Sequence, residues 1–350
     1  MAKALAATGV AALLVGAGTS PAQTCAWRLS ASVPTKTASV FNAVGARTHD
    51  DVWAVGVAAS SDSTAEGPTL AERWNGTRWR RTPTPPGSGV LTGVAALGRD
   101  DAWAVGARGT GTLILHWDGA RWRVAPAPDV HPSALLAVSA RSASDVWAVG
   151  IRAKYSDQSG PPLVEHWDGT AWRVVEPPPM QLTTDTVSVD ATGEVWTNCF
   201  VGPRWQMRLP PGITGKRCSD AGAVAVDAHD PVDVWADFGV LAQWDGRVWH
   251  RHPLYQPDVA GIAGLAAISS RDVWAAGTED CCGGAYIDYL AHWNGVRWTR
   301  VKSVFPYDID NGLLGIAAVS TRDVWAVGVG AGHARAERYS CVPRITHESR

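Results

Sequence analysis

The sequence predicts an all-β fold, a seven-bladed β-propeller of four-stranded blades, on three observations. The stretch Asp145–Gly150 (DVWAVG) recurs in seven copies whose Trp residues lie 39 to 51 residues apart, a period typical of propellers and solenoids. All 19 Trp fall at fixed positions of the repeat or its continuation, which indicates packing residues. No segment has helix caps and a long 3.6-residue period. The first Trp of each copy is a structural repeat residue: Trp53, Trp103, Trp147, Trp196, Trp235, Trp274 and Trp325.

Each copy divides into four strands. A run of small apolar residues, such as Leu265–Ile268, suits a crowded innermost strand, and the DVWAVG stretch is a second strand rich in β-branched residues. The third strand ends at a second Trp, for example Trp167, and an Asp-Gly or Asn-Gly pair then predicts a two-residue hairpin. A third Trp, such as Trp172, opens the fourth strand, which a Pro-rich segment ends.

The two ends of the chain predict how the ring closes. Residues 1–22 have the apolar core and small residues of a secretory signal, and residues 23–343 form the propeller, followed by a tail at 344–350. Trp27 matches a fourth strand, whereas the last copy lacks one, so we expect the N-terminal strand to complete the last blade and close the ring. In this register Cys25 and Cys341 meet as a disulfide. Thr24 argues against lipidation of Cys25.

The fourth copy is the least regular, because the hairpin pair and the third Trp are missing after Trp205. Cys199 and Cys218 flank this region. We interpret them as a second disulfide that compensates for lost packing, with a reactive thiol as the alternative.

Loop lengths differ between the two faces of the predicted ring. Turns between first and second strands are short, whereas the second-to-third loops and the links between blades are long, and these long loops emerge on one face, here called the long-loop face. Elaborated loops on a rigid scaffold usually carry function. Candidate ligand residues on these loops, an acidic and aromatic rim, are Tyr155, Asp157, Asp280, Cys281, Cys282, Tyr286, Asp288, Tyr289, Tyr307, Asp308 and Asp310.

The adjacent Cys281 and Cys282 permit a vicinal disulfide that lines a pocket, or a bridge that only stiffens the loop. The Asp that begins each DVWAVG copy lies at a tight turn, so we interpret that column as structural. We expect His116, His166 and His292 to pack against neighbouring blades and not to share a metal, since they lie on different blades. No catalytic residues, cofactor or metal are predicted.

The net charge of −2 gives no electrostatic argument for binding nucleic acid, and the N-terminal apolar run is too short for a membrane span. We therefore expect a secreted monomer with no membrane insertion.

The repeat, DVWAVG followed by HWDGT-x-W, resembles the Trp-rich propeller repeats of secreted actinobacterial proteins, and is distantly similar to Asp-box (sialidase-type) and photosystem-assembly-factor propellers. The resemblance covers about residues 25–343 and implies a propeller. The arginine triad of sialidases has no counterpart on the inner strands, which are Ala, Val and Leu.

The leading hypothesis for function is a binding or scaffold module that recognises an extracellular glycan or protein through the long-loop face. The alternative is a glycoside hydrolase or lyase that uses carboxylates of the long loops, which requires two of them close together at the central mouth. A third hypothesis is a structural surface protein without a ligand.

Overall fold

The computed structural model describes residues 23–58, 66–157, 160–177, 185–197, 200–202, 206–207, 226–254, 259–280, 286–305 and 312–343. In these ranges the regular structure is β-strand, apart from one 3-10 turn at Tyr155–Asp157. The sheets are four-stranded and antiparallel, except for one of eight strands. The all-β prediction and the repeated four-stranded sheets are confirmed.

The strand bounds follow the sequence repeats. The first strand, β1, spans Gln23–Ser30. Repeats 1 to 3 comprise β2 (Ser39–Thr48), β3 (Asp51–Ala58), β4 (Gly67–Trp74), β5 (Trp79–Arg81); β6 (Ser88–Gly98), β7 (Asp101–Arg108), β8 (Gly111–Trp117), β9 (Trp122–Val124); and β10 (Ala134–Ser142), β11 (Asp145–Ile151), β12 (Pro162–Trp167), β13 (Trp172–Val174). The eight-stranded sheet is repeats 1 and 2, joined by pairing of β4 with β6.

The remaining strands continue this order. Repeats 4 to 7 comprise β14 (Val187–Val189), β15 (Val195–Thr197), β16 (Phe200–Gly202), β17 (Gln206–Met207); β18 (Val226–Asp230), β19 (Asp233–Asp237), β20 (Leu241–Trp244), β21 (Trp249–Arg251); β22 (Val259–Ser269), β23 (Asp272–Asp280), β24 (Tyr286–Trp293), β25 (Trp298–Arg300); and β26 (Gly312–Ser320), β27 (Asp323–Gly330), β28 (His333–Pro343).

The chain termini meet in one sheet. Strand β1 pairs antiparallel with β28, so that the sheet order is β1-β28-β27-β26. Cys25 lies opposite Cys341 and is bonded to it through a disulfide. The predicted pairing of these two cysteines and the position of the N-terminal strand are confirmed.

Tryptophan clusters lie between successive repeats. The first Trp of one repeat packs against the second and third aromatic residues of the next, with ring centroids 4.8 to 6.3 Å apart. The contacts are Trp53 with Trp117 and Trp122, Trp103 with Trp167 and Trp172, Trp196 with Trp244 and Trp249, Trp235 with Trp293 and Trp298, Trp274 with Tyr339 and Trp27, and Trp325 with Trp74 and Trp79. All seven first-position Trp are buried, in agreement with their predicted packing role.

The Asp column is structural as predicted. Within a repeat, the first Asp bonds to the side chain that precedes the second aromatic residue: Asp51 to Arg73, Asp101 to His116, Asp145 to His166, Asp233 to Gln243, Asp272 to His292, and Asp323 to Arg338. His116, His166 and His292 stack on the first Trp of their own repeat at 4.1 to 4.3 Å. Their expected packing on a neighbouring blade is wrong, because the cross-strand Trp is nearer.

Among the described residues, no helix has both the length and the hydropathy needed to cross a bilayer.

Candidate functional site

Five inner strands carry a β-bulge at the same repeat position. Each bulge adds one unpaired residue between two residues that pair with the second strand; the added residues are Asn42, Thr92, Leu136, Ala263 and Leu314. A bulge commonly re-aims a side chain next to a functional site. The Gly that ends DVWAVG permits this geometry, because a Cβ at Gly106 would lie 1.9 Å from the Val90 carbonyl oxygen.

The five bulged residues line one cavity of about 420 Å³, together with neighbouring inner-strand residues. Each bulged residue is partly exposed, whereas the residue before it in each strand is buried. Tyr155, Asp185 and Thr186 complete the described wall. Five described repeats therefore contribute their bulged residues to one cavity.

The cavity lies towards the long-loop end of the inner strands. Its lining residues come from the first half of each strand, for example Asn42–Val44 in β2, which ends at the short turn after Thr48. Tyr155 reaches the wall from the loop between β11 and β12, which belongs to the long-loop face. The side chain of Tyr155 is 8% exposed.

The cavity wall combines polar and apolar residues. Asn42 donates its amide to the Leu91 carbonyl at 2.8 Å, and Thr92 donates its hydroxyl to the Leu135 carbonyl at 2.9 Å, so both link neighbouring repeats. Leu136, Ala263 and Leu314 supply apolar surface. Among the described lining residues Asp185 is the single ionisable acid. Such a wall suits binding of a mixed polar and apolar group.

The described residues of the predicted rim have different surroundings. Tyr155 lies in the cavity wall, and Asp157 is exposed at the end of the same 3-10 turn. Asp280 and Tyr286 pair across the ends of β23 and β24, where both are exposed. Cys281, Cys282, Tyr307, Asp308 and Asp310 lie outside the described residues, as do Cys199 and Cys218.

Asp288 and Tyr289 are buried inside the fold. The segment 278–289, expected as a long loop, is largely a hairpin, since β23 extends to Asp280 and β24 begins at Tyr286. Asp288 accepts two hydrogen bonds from Arg335 of the next repeat, at 2.6 and 2.7 Å. Burial raises the pKa of Tyr289 to about 12, so its hydroxyl stays protonated.

Sequence reasoning missed the bulged residues and Arg335. The bulge has no local signature, because the added residue varies from Asn to Leu. Arg335 did carry a signal: it occupies the position opposite Gly328 where other repeats place Leu70, Leu113 and Leu163. A charged residue in a column of buried leucines predicts a buried partner.

Among the described residues, no group of three or more His, Cys, Asp or Glu side chains is arranged to hold a metal ion.

No protein-family model and no curated protein matches the chain. Solved structures do resemble it. YCF48 bound to D1 peptide is 17% identical with a TM-score of 0.59, over 90% of this chain and 96% of that one. Virginiamycin B lyase from Staphylococcus aureus is 9% identical with a TM-score of 0.63, over 92% and 100%. The WD40 β-propeller domain of Doa1 is 14% identical with a TM-score of 0.60, over 91% and 97%. At these identities the likeness shows the β-propeller fold alone.

Proposed function

We propose that the chain is a secreted seven-bladed β-propeller that binds an extracellular protein or glycan at the central cavity of its long-loop face. One observation carries this proposal: inner strands from five repeats bulge at the same position and direct their added residues into one cavity. A bulge costs ladder hydrogen bonds, so its repetition around a common cavity favours a functional use over a packing one.

The repeat number and the contacts between the chain ends support a closed ring of seven blades. The seven DVWAVG copies supply the blades. Trp325 of the last repeat packs against Trp74 and Trp79 of the first, with centroids 5.1 and 5.3 Å apart. The pairing of β1 with β28 and the Cys25–Cys341 bond hold the chain ends together. The radial arrangement of a propeller leaves only short, protected sheet edges.

Secretion rests on two features. Residues 1–22 have the composition of a signal peptide. Disulfides such as Cys25–Cys341 persist in oxidising compartments and are rare in the cytosol.

A protein target is favoured over a glycan by the wall of the cavity. The wall combines apolar surface from Leu136 and Leu314 with polar surface from Asn42 and Thr92, which suits an amphipathic side chain. YCF48, which has a similar fold, has a structure bound to a D1 peptide, and this is a precedent for a protein ligand on a β-propeller. The hydrolase or lyase alternative needs two carboxylates at the cavity, and the described wall supplies Asp185.

The test uses the mature chain, residues 23–350, immobilised and exposed to extracellular and cell-wall extract. Ala263→Arg places a long cation in the cavity from a partly exposed position. Ala120→Arg makes the same change at an exposed short-turn position on the opposite face. We expect wild type and Ala120→Arg to retain the same component, and Ala263→Arg to lose it.

Protease and periodate treatment of the retained component then separates a protein target from a glycan. Equal retention by both arginine variants, with circular dichroism showing both folded, contradicts a binding site in the cavity.

A further inference from the structure

A groove on the side of the molecule, between repeats 5 and 6, contains a third-position Trp that is more exposed than the others described. The other third-position Trp in the described repeats are 3 to 9% exposed: Trp27, Trp79, Trp122, Trp172 and Trp249. Trp298 is partly exposed instead. Because the repeat buries this residue elsewhere, the exposure of Trp298 marks a local departure.

A hydrogen bond made in repeats 1 and 2 is absent at Trp298 among the described residues, as it is at Trp27, Trp172 and Trp249. Trp79 donates its indole N–H to Ser30 at 3.1 Å, and Trp122 donates to Thr82 at 3.1 Å; each acceptor follows the previous third-position Trp by three residues. The equivalent residue for Trp298 is His252. The indole nitrogen of Trp298 and Nε2 of His252 are both buried with no hydrogen-bond partner among the described residues. Such groups cost free energy unless a partner satisfies them.

Both residues line a cavity of about 670 Å³. Its described lining includes Arg251, Arg297 and Arg300 but no Asp or Glu. Arg300 donates to Glu279 at 3.0 Å and lies over the Tyr289 ring, and Arg297 adds a further positive charge to the groove. Burial, and next the charge of His250, lowers the pKa of His252, so that its ring stays neutral and offers one donor and one acceptor.

Such a lining is suited to binding an anion beside an aromatic ring. Arginine binds carboxylates through paired N–H donors, and a partly exposed indole offers a flat apolar face for stacking. The flanking outer strands β21 and β25 are three residues long, which gives little backbone for adding an extended peptide strand. We propose that this groove binds the uronic-acid units of an acidic polysaccharide, with the sugar ring on Trp298 and its carboxylate on Arg297.

The test measures binding of tetragalacturonate to the folded mature chain by isothermal titration calorimetry. Arg297→Glu reverses the charge of the groove, and Arg78→Glu makes the same change at the same turn position of repeat 1 as a matched control. We expect Arg297→Glu to weaken binding by at least about ten-fold and Arg78→Glu to change it by less than about two-fold, as loss of one charge-assisted contact implies.

A second variant separates ligand contact from stability. His252→Ser restores the Ser30-type acceptor for Trp298, so we expect an unchanged or higher melting temperature together with weaker binding. Neutral cellotetraose and a poly-glutamate peptide are the other ligands. Absence of binding by wild type, equal weakening by both Glu variants, or equal affinity for poly-glutamate overturns the proposal.

Discussion

Glu72 in repeat 1 and Glu165 in repeat 3 occupy the same place on the third strand, opposite Ala54 and Ala148, and both are fully buried. Their surroundings differ. Glu72 accepts the Val33 backbone N–H at 2.9 Å and a hydrogen bond from Arg81 at 2.9 Å. Both carboxyl oxygens of Glu165 have no hydrogen-bond partner in the described part of the chain.

The difference comes from the link between repeats. Val33 follows Trp27 by six residues, and in repeat 7 the Val304 N–H, six residues after Trp298, donates to Glu337 at 3.1 Å. The sixth residue after Trp122 is Pro128, which has no N–H to donate. Repeat 3 therefore has the carboxylate of Glu165 on its third strand, but Pro128 in the preceding link has no N–H to donate to it.

The opposing strand adds to this difference. Arg81 lies across from Glu72 in the register, whereas Val174 lies across from Glu165. Burial raises the pKa of Glu165 to about 7, with only the charge of Arg152 acting in the other direction. Burial also raises the pKa of Glu72, and there the Val33 amide and Arg81 oppose it. A repeat position therefore has no fixed electrostatic character of its own.

The largest effect on the free energy of unfolding is expected from removing the hydrogen-bonded carboxylate of Glu72. Glu72→Ala leaves the Val33 N–H and Arg81 without their partner and opens a small cavity, which should lower the free energy of unfolding by about 3–4 kcal/mol at pH 8. Urea titration of the mature chain measures this. A loss under about 1 kcal/mol would mean that the Glu72 contacts contribute no more than an exposed ion pair.

The second prediction concerns Glu165, whose carboxylate has no hydrogen-bond partner among the described residues. Here the substitution is expected to raise the free energy of unfolding. Since the pKa of Glu165 is about 7 when folded and 4.5 ordinarily, the folded chain holds this proton more tightly, and stability falls as pH rises from about 4.5 through 7. Glu165→Gln removes this loss. It should stabilise the chain at pH 8 by up to about 3 kcal/mol and by less than about 0.5 kcal/mol at pH 4.5.

The matched control for that experiment is Glu72→Gln, which removes a charge at the same repeat position. Because the Val33 amide and Arg81 oppose the effect of burial on the pKa of Glu72, this variant should gain less stability at pH 8 than Glu165→Gln. If Glu72→Gln gains as much as Glu165→Gln, the contrast between the two sites is wrong.

The comparison also separates what the sequence predicts from what it does not. The Trp columns predicted the four strands, and the register of Trp27 and Tyr339 predicted the Cys25–Cys341 bond, because both depend on local repeat spacing. The burial of Asp288 depends on Arg335, a residue of the following repeat, and the isolation of Glu165 depends on Pro128 of the preceding link. Such pairings between repeats have no local pattern.

The cavity lined by the bulged residues could not be predicted from the sequence, for a related reason. A bulge shifts the strand register by one residue, and the sequence of Leu91–Gly93 gives the same apolar pattern with or without it. Loop length is visible along the chain, and it allowed Tyr155 to be placed on the long-loop face. The residues that line the cavity can be identified only from the strand pairings in the structure.

The smallest effect is expected from a substitution that makes the surroundings of Glu165 resemble those of Glu72. Val174→Arg places an arginine opposite Glu165, where Arg81 stands opposite Glu72. Since Arg81 is itself about a third exposed, with a side-chain exposure of 37%, the gain is discounted for solvent screening to about 1 kcal/mol at pH 8. The gain should vanish at pH 4.5, where Glu165 is protonated. A double-mutant cycle decides the cause: in the Glu165→Gln background the same Val174→Arg change should give no gain. A gain that persists there would come from another partner, such as Glu176, and would leave Glu165 as isolated as before.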